Sequence, residues 1–357
     1  MKRTYILSLA LFILFSIVLG SCGQIIEPNQ FPKYVILFIG DGMGPEHIKA
    51  GEYYQGHASS FTDFPVHATI TTSSFGGEVT DSAAAATAIA TGRKVSNGVL
   101  SVALPGDGTP LQTMLEKASR KSMLTGLVTT THLTHATPAA FGAHRVSRNM
   151  FSEIAQDYFG VSRPNLLLGG GANGISESQA IAGAYDIVHT FSELESVPFK
   201  MRIAGLFGTG YLPYEFYGGP RLEGFPDIRD MTVHAIRLLS SGGNGFFLMV
   251  EGGLIDTASH SNSANLMVAE VAGFDKAVRS AVEWARGRTD VLILVTADHE
   301  TGDIQGVINS GTGQVPEVKW GSTGHTSRKV DLFAWGCGAD RFLTVQENTE
   351  ILKALQW

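Results

Sequence analysis

An α/β fold is predicted: a three-layer α/β/α sandwich around a mixed, largely parallel sheet. Three features of the chain predict it. Apolar runs of strand length recur from end to end, and several close on Gly, Asp or Glu. Segments with helical spacing lie between them. Glycine is abundant, 42 of 357 residues, as expected where many strands feed helices through tight turns. That length suits one large α/β domain, although length alone would allow two.

Val35–Gly40 is an uninterrupted apolar run, which reads as a parallel strand buried on both faces. Helix signals follow from Pro45. His67–Thr72 is the next strand. Ser82–Thr91 is an alanine-rich helix behind Asp81, and Leu111–Arg120 is a second helix. Strands then follow at Leu124–Thr130 and Asn165–Leu168. Gly208–Gly224, rich in Pro, Gly and Tyr, reads as a long loop near the mouth of a site, with packing as the ordinary role of its aromatic residues. Phe246–Val250 and Val291–Thr296 are apolar strands, and Asp331–Trp335 is the last. The segment Ala264–Arg286 carries Leu266, Val268, Ala269, Ala272, Phe274 and Ala277, mostly at helical spacing.

Chemistry-bearing residues gather where these strands end. Asp41 follows the first strand. Glu251, Asp256 and His260 follow the Phe246 strand. Asp298, His299 and Glu300 follow the Val291 strand, and His325 lies in a later Gly-Ser-Thr-Gly-His-Thr stretch. Open α/β sheets collect ligands at the carboxyl ends of their strands. Asp256 and His260, four apart, share a helical face. Any one of these residues alone is an ordinary turn or polar residue. Several carboxylates at one buried edge need cations to be tolerated, and mixed carboxylate and imidazole donors suit a transition metal. Asp81 and Ser82, taken alone, are ordinary cap residues. Ser82 would also sit in the first turn of its helix, where an anionic oxygen is favoured.

Five ordered motifs resemble the alkaline phosphatase family, over the stretch from about Lys33 to the C-terminus. They are F-I-G-D-G-M-G, T-D-S-A-A-A-A-T-A, H-A-T-P-A-A-F-G-A-H-R-V-S-R, V-E-G-G-L-I-D-T-A-S-H, and T-A-D-H-E-T-G with the later G-H-T. The resemblance implies an enzyme that hydrolyses phosphate monoesters through a phosphoserine, with two zinc ions and one magnesium ion. Ser82 matches the nucleophile and Arg148 the guanidinium that clamps phosphate. Asp41, Asp298 and His299 match the ligands of one zinc, which also holds the Ser82 oxygen. Asp256, His260 and His325 match the ligands of the other. Asp41, Thr137 and Glu251 match the third site. His135 is expected to support the third site without being a direct ligand and stands where the best-known bacterial enzyme has Asp, and Thr257 stands where relatives carry Lys, Trp or His. These two departures leave the identity of the third metal open. The remaining histidines, among them His47, His132 and His144, are expected to be structural or superficial. Glu300 is expected either to support the site or to form a structural ion pair.

The short gap between His299 and His325 predicts a compact member with little or no crown insertion and an open site. A homodimer is possible. Superfamily siblings, such as phosphodiesterases and sulfatases, share the zinc-ligand pattern but usually use another nucleophile. A non-catalytic metal- or phosphate-binding lipoprotein is the second alternative, and no motif residue is lost as that would require. The formal charge of −7 offers no basic face for nucleic acid; small phosphomonoesters are the expected partners.

Residues 1–21 read as a lipoprotein-type signal peptide. Lys2 and Arg3 precede an apolar run from Tyr5 to Leu19, and Leu19-Gly20-Ser21-Cys22 resembles a lipoprotein processing site. Residues 22–32 read as a tether and 33–357 as the catalytic domain. The expected location is the periplasm or outer membrane, held by a lipid on Cys22. Contact with membrane is expected through that anchor alone, with no intrachain disulfide.

Overall fold

A computed structural model describes residues 31–215 and 222–357. The segments read as a signal peptide and a tether up to residue 30, with Cys22 between them, lie outside the described residues. Phe31–Trp357 make one unit. Among the described residues no helix is long and apolar enough to cross a membrane, and Cys337 forms no disulfide.

The strands are β1 (Tyr34–Gly40), β2 (Val66–Ile70), β3 (Leu124–His132), β4 (Leu166–Gly170), β5 (Asp186–Val188), β6 (Ile203–Leu206), β7 (Phe246–Gly252), β8 (Val291–Ala297), β9 (Glu300–Thr301), β10 (Gly306–Ile308), β11 (Glu317–Lys319), β12 (His325–Thr326) and β13 (Val330–Gly336). Nine of them form one sheet in the order β2-β13-β8-β1-β7-β3-β4-β6-β5. Only β13 runs against its neighbours, β8 and β2. The sheet is therefore mixed and largely parallel, as predicted.

Every residue of β1, β7 and β8 is buried. Central parallel strands carry helices on both faces, so both sides of the pleat must be apolar. In-register pairing sets Ile39 beside both Glu251 and Thr296, and Glu251 beside Thr129. The carboxyl ends of β8, β1 and β7 thus finish at one level, and β3 beside them runs on to His132.

The helix Ser82–Thr91 is buried from Ser82 through Ala90. It packs against the short helix Ala136–Gly142. Alanine side chains allow that close approach, which explains the small-residue run. The helix stops at Gly92, whose φ of 74° is left-handed.

The helix expected at Leu111–Arg120 begins at Met114. Thr113 caps it: its hydroxyl accepts from the Glu116 N–H at 3.2 Å, and the Glu116 carboxylate accepts from the Thr113 N–H at 3.0 Å. The long helix spans Ala264–Ala285, close to its expected bounds. Its Phe274 is fully buried edge-to-face against Phe38 and Phe61, tying the helix to β1.

The structure adds a helix, Ile228–Leu239, that was not among the expected elements. It buries Ile228, Met231, Thr232, Ala235, Ile236 and Leu239, and Asp227 and Asp230 form a capping box at its start. Both signals were present in the chain. The structure also adds β5 and β6, three and four residues long, which are too short for periodicity to register. The described parts of the Gly208–Gly224 loop contain neither helix nor strand.

Candidate functional site

Four adjacent strands deliver the site. Asp41 leaves β1, and Glu251 is the penultimate residue of β7. The helix Leu254–His260 carries Asp256 and His260 on one face. Asp298 and His299 follow β8, and the end of β3 leads through His135 into the helix holding Thr137. His325 comes back from far along the chain because β12 pairs with β9, setting His325 opposite Thr301.

The groups meet closely. His299 Nε2 lies 3.4 Å from Asp41 Oδ1 and 3.3 Å from Asp298 Oδ2. Asp256 lies 3.3 Å from His260 Nε2 and 3.6 Å from His325 Nε2. The His299 and His325 rings stack at 3.6 Å. Ser82 Oγ is buried, 3.4 Å from His299 Nε2. The Ser82 helix is capped by Asp81, whose Oδ1 accepts from Ala84 N–H at 3.0 Å. Asp81 Oδ2 accepts from Arg148 Nη1, also at 3.0 Å. Arg148 Nη2 lies 3.2 Å from His135 Nε2, and His135 Nδ1 lies 3.7 Å from Glu251 Oε1. One chain of contacts therefore joins the helix cap, the guanidinium, the imidazole and the buried glutamate.

Three groups of donors each converge within 4.8 Å: Asp41–Asp298–His299, Asp256–His299–His325, and Asp41–His135–Glu251. The first is the set expected for one zinc. In the second, His299 shares the cluster expected for Asp256, His260 and His325, with His260 bordering it at 3.1 Å from His325 Nε2. In the third, His135 itself approaches Asp41 and Glu251, closer in than a supporting role requires. Thr137 stands beside Glu251 and helps to lower its pKa.

These residues fit cations. Both oxygens of Asp41, one oxygen each of Glu251 and Asp298, the Thr137 hydroxyl and His135 Nδ1 are buried without a full hydrogen bond among the described residues. Orphaned acceptors of this kind are costly unless something positive meets them. Burial, then the charges of Asp298, Asp256 and Glu251, raises the Asp41 carboxyl well above the usual range. Burial likewise pushes Asp298 up to about 8, aided by Asp256 and Glu251. Burial works against the charged forms of Glu251 and Asp256 as well. His135 with Thr129 and Thr137 outweighs it for Glu251, and His260, His299 and His325 outweigh it for Asp256, so both are held low. Two carboxyls pushed up beside two held down is what a shared cation site looks like without its counter-charge.

Further residues support the site, and the sequence had not singled out Thr129, Thr301 or Gly42 among them. Thr129 donates to Glu251. Thr301 donates to Asp256 at 2.5 Å and lies 3.2 Å from His299 Nδ1. Gly42 has φ of 72°, and a Cβ there would fall 2.8 Å from Thr301 Oγ1 and 2.9 Å from Asp256 Oδ1. Glu300 accepts from Ile304 N–H at 3.1 Å and from the Thr326 hydroxyl, so it pins the turn that carries His325. Thr257 is half-buried between Asp256 and His260. His47 is buried, 3.0 Å from Ser259 Oγ, and His144 contacts Glu116 and Ser101. Both are structural, as expected. Thr301 and Gly42 lie inside the T-A-D-H-E-T-G and F-I-G-D-G-M-G motifs, whereas Thr129, in the middle of a strand, had no sequence signal of its own.

The family model for "Alkaline phosphatase" matches residues 32–186 and 169–317. Alkaline phosphatase 3 of Bacillus subtilis is 36% identical over 76% of this chain and 61% of its own length. The chain thus spans about six-tenths of that relative. Streptomycin-6-phosphate phosphatase of Streptomyces griseus is 30% identical over 98% of this chain and 95% of its own length. The solved alkaline phosphatase of the Antarctic bacterium TAB5 superposes with a TM-score of 0.81 at 30% identity, covering 91% of this chain and 97% of that one. A mutant of the TAB5 protein has Mg bound in its M3 site.

The raised carboxyls make a testable claim about the cation-stripped protein. A carboxyl whose folded pKa is raised loses stabilising protons as pH climbs from its ordinary value of about 4 toward about 8 for Asp298. His260, raised to about 9 by its hydrogen bond to Asp256, acts in the same direction above the ordinary histidine value of about 6.5. His299, lowered by burial, contributes nothing further above that value. The Tm of chelated protein should therefore fall between about pH 6.5 and 8, and zinc should make the fall smaller. A Tm that rises across that interval without cations would contradict the electrostatic account.

Proposed function

The chain belongs to the alkaline phosphatase family, and from that premise we propose that it hydrolyses phosphate monoesters to an alcohol and inorganic phosphate through a phosphoserine on Ser82. The observation that carries this is the placement of Ser82. Its buried hydroxyl sits in the first turn of a ten-residue helix, against His299, while the helix cap Asp81 also holds Arg148. The Streptomyces griseus relative, named as a phosphatase of a phosphorylated small molecule, supports monoester substrates.

Two zinc ions, one among Asp41, Asp298 and His299 and one among Asp256, His260 and His325, with magnesium among Asp41, Thr137 and Glu251, would lower the pKa of the serine hydroxyl and offset the charge on phosphate. The chain's own residues do the rest. The N-terminal N–H groups of the Ser82 helix favour an anionic oxygen. Ser82 Oγ forms the bond to phosphorus as the bond to the leaving alcohol breaks. Water then takes the phosphoryl group and restores the hydroxyl. Arg148 is held at Nη1 by Asp81 and lies against His135 at Nη2. Its planar fork is thereby oriented to grip two phosphate oxygens, which Lys would not match.

His135 sets the character of the third site. It lies between Arg148 and Glu251 and brings no negative charge to a hard cation. Magnesium is held weakly there, and zinc or cobalt competes for the position. The TAB5 mutant with Mg in its M3 site supports a third cation position. Export and anchoring through a lipid on Cys22 complete the proposal, with the enzyme facing periplasmic monoesters, alone or as a homodimer.

Ser82→Ala should reduce phosphate monoester turnover on the order of 100-fold or more while leaving zinc content near wild type. Acid trapping of the wild type should place phosphate on Ser82; reproducible phosphate elsewhere would refute the assignment, and faster rates on diesters or sulfate esters would favour a sibling activity. His135→Asp should lower the magnesium concentration for half-activation about 10-fold, the scale on which residues around a metal tune its affinity; equal half-saturation in the two proteins would remove His135 from the third site. Mass spectrometry of the mature N-terminus should find acyl chains on Cys22, and an unmodified Cys22 would end the lipoprotein assignment.

A further inference from the structure

Tyr211 belongs to no motif, yet the fold fixes it beside the phosphate fork. The Gly208–Leu212 strap is pinned to the ends of β3 and β4. Leu212 N–H donates to Thr130 O at 2.8 Å, and Gly171 N–H donates to Gly208 O at 3.2 Å. Gly170 backs directly onto the strap, where a Cβ would fall 1.6 Å from Gly210 O. No larger residue fits at Gly170 without displacing the strap.

One face of Tyr211 is built upon. Its ring stacks on His132 at 5.5 Å with an interplanar angle of 22°. His132 is buried, braced edge-on by Phe151 at 5.3 Å, and held at Nδ1 by Thr134 Oγ1 at 3.0 Å. Thr134 in turn donates to Asn173 O at 2.7 Å. Tyr211 also meets His135 edge-on at 5.9 Å, and His135 contacts Arg148 Nη2. Tyr211 is thus one ring away from the guanidinium that would hold phosphate. It nevertheless remains 44% exposed. A rigid aromatic ring supported from behind and open in front is a stacking surface, because planar groups pair best offset-stacked at about 4.5–7 Å.

We propose that Tyr211 is a specificity-determining residue that stacks planar, aromatic leaving groups of phosphate monoesters. The inference rests on the monoesterase reading of the same site. His132, with Phe151 behind it, is the support for this ring. Aryl esters and other monoesters with a planar ring near the ester oxygen are favoured over alkyl esters such as glycerol 3-phosphate.

The test compares kcat/KM for phenyl phosphate and glycerol 3-phosphate in the zinc- and magnesium-loaded wild type, Tyr211→Phe and Tyr211→Ala. Tyr211→Ala should lower the phenyl-to-glycerol ratio by about 3- to 10-fold, the range spanned by aromatic pairs, and Tyr211→Phe should restore it. Calorimetric binding of phenylphosphonate and methylphosphonate gives a readout that needs no turnover. The wild type should prefer phenylphosphonate, and Tyr211→Ala should erase that preference. If the wild type turns over neither ester but keeps this Tyr211-dependent preference, the monoesterase reading fails and the platform stands. Equal losses on both esters, or a phenylphosphonate preference that survives Tyr211→Ala, would overturn the platform.

Discussion

Four carboxylates buried at one sheet edge are the constraint on which the rest of the structure depends. Asp41, Glu251, Asp256 and Asp298 come from three neighbouring strands and their following turns, and all are nearly or wholly buried. Like charges at such separation in a medium of low dielectric repel strongly. The fold nevertheless holds them in register through an in-line set of buried strands. It surrounds them with imidazoles, threonine hydroxyls and backbone N–H groups. Gly42 N–H, for example, donates to Asp298 at 3.1 Å. The apolar core thus supplies the free energy that keeps an unfavourable cluster together, and the cluster has a purpose only when cations complete it.

The arrangement around Ser82 follows from that constraint. A serine whose oxygen must approach several carboxylates needs a counter-field, and a helix N-terminus aimed at it provides one. Asp81 does two jobs with its two oxygens. One caps the helix and the other holds Arg148. The Ser82 helix and the Arg148 guanidinium are therefore positioned by the same side chain. The alanines of this helix serve that geometry by letting it lie close to the helix that carries Thr137.

Much of this was legible in the chain. Short apolar runs such as Val35–Ile39 and Val291–Val295, β-branched and bounded by turn signals, fit a strand covered on both faces better than a helix. The residues after them stood out because carboxylates follow directly on buried strands. Legibility failed where local pattern is weak. The three-residue β5 exists because β6 lies beside it, and the start of the Met114 helix depended on which nearby residue caps it. The amphipathic helix Ile228–Leu239 is different, since both its cap and its period were available and went unread.

The sequence by itself determined the chemistry at hand: which residue types follow which strands, which serine opens a helix, and how many donors are available for cations. These are properties of local pattern, carried by periodicity and by residue type. Only the tertiary structure decided how those donors are shared. His299 touches two clusters, His135 moves in beside Glu251, and His325 is brought home by a two-residue ladder with Thr301. Tyr211, in a loop without periodicity, acquired its place from a glycine contact between β4 and the strap. The physical reason is common to all of them. Such contacts join residues far apart in the chain, and their geometry is set by sheet order and packing, which no local pattern encodes.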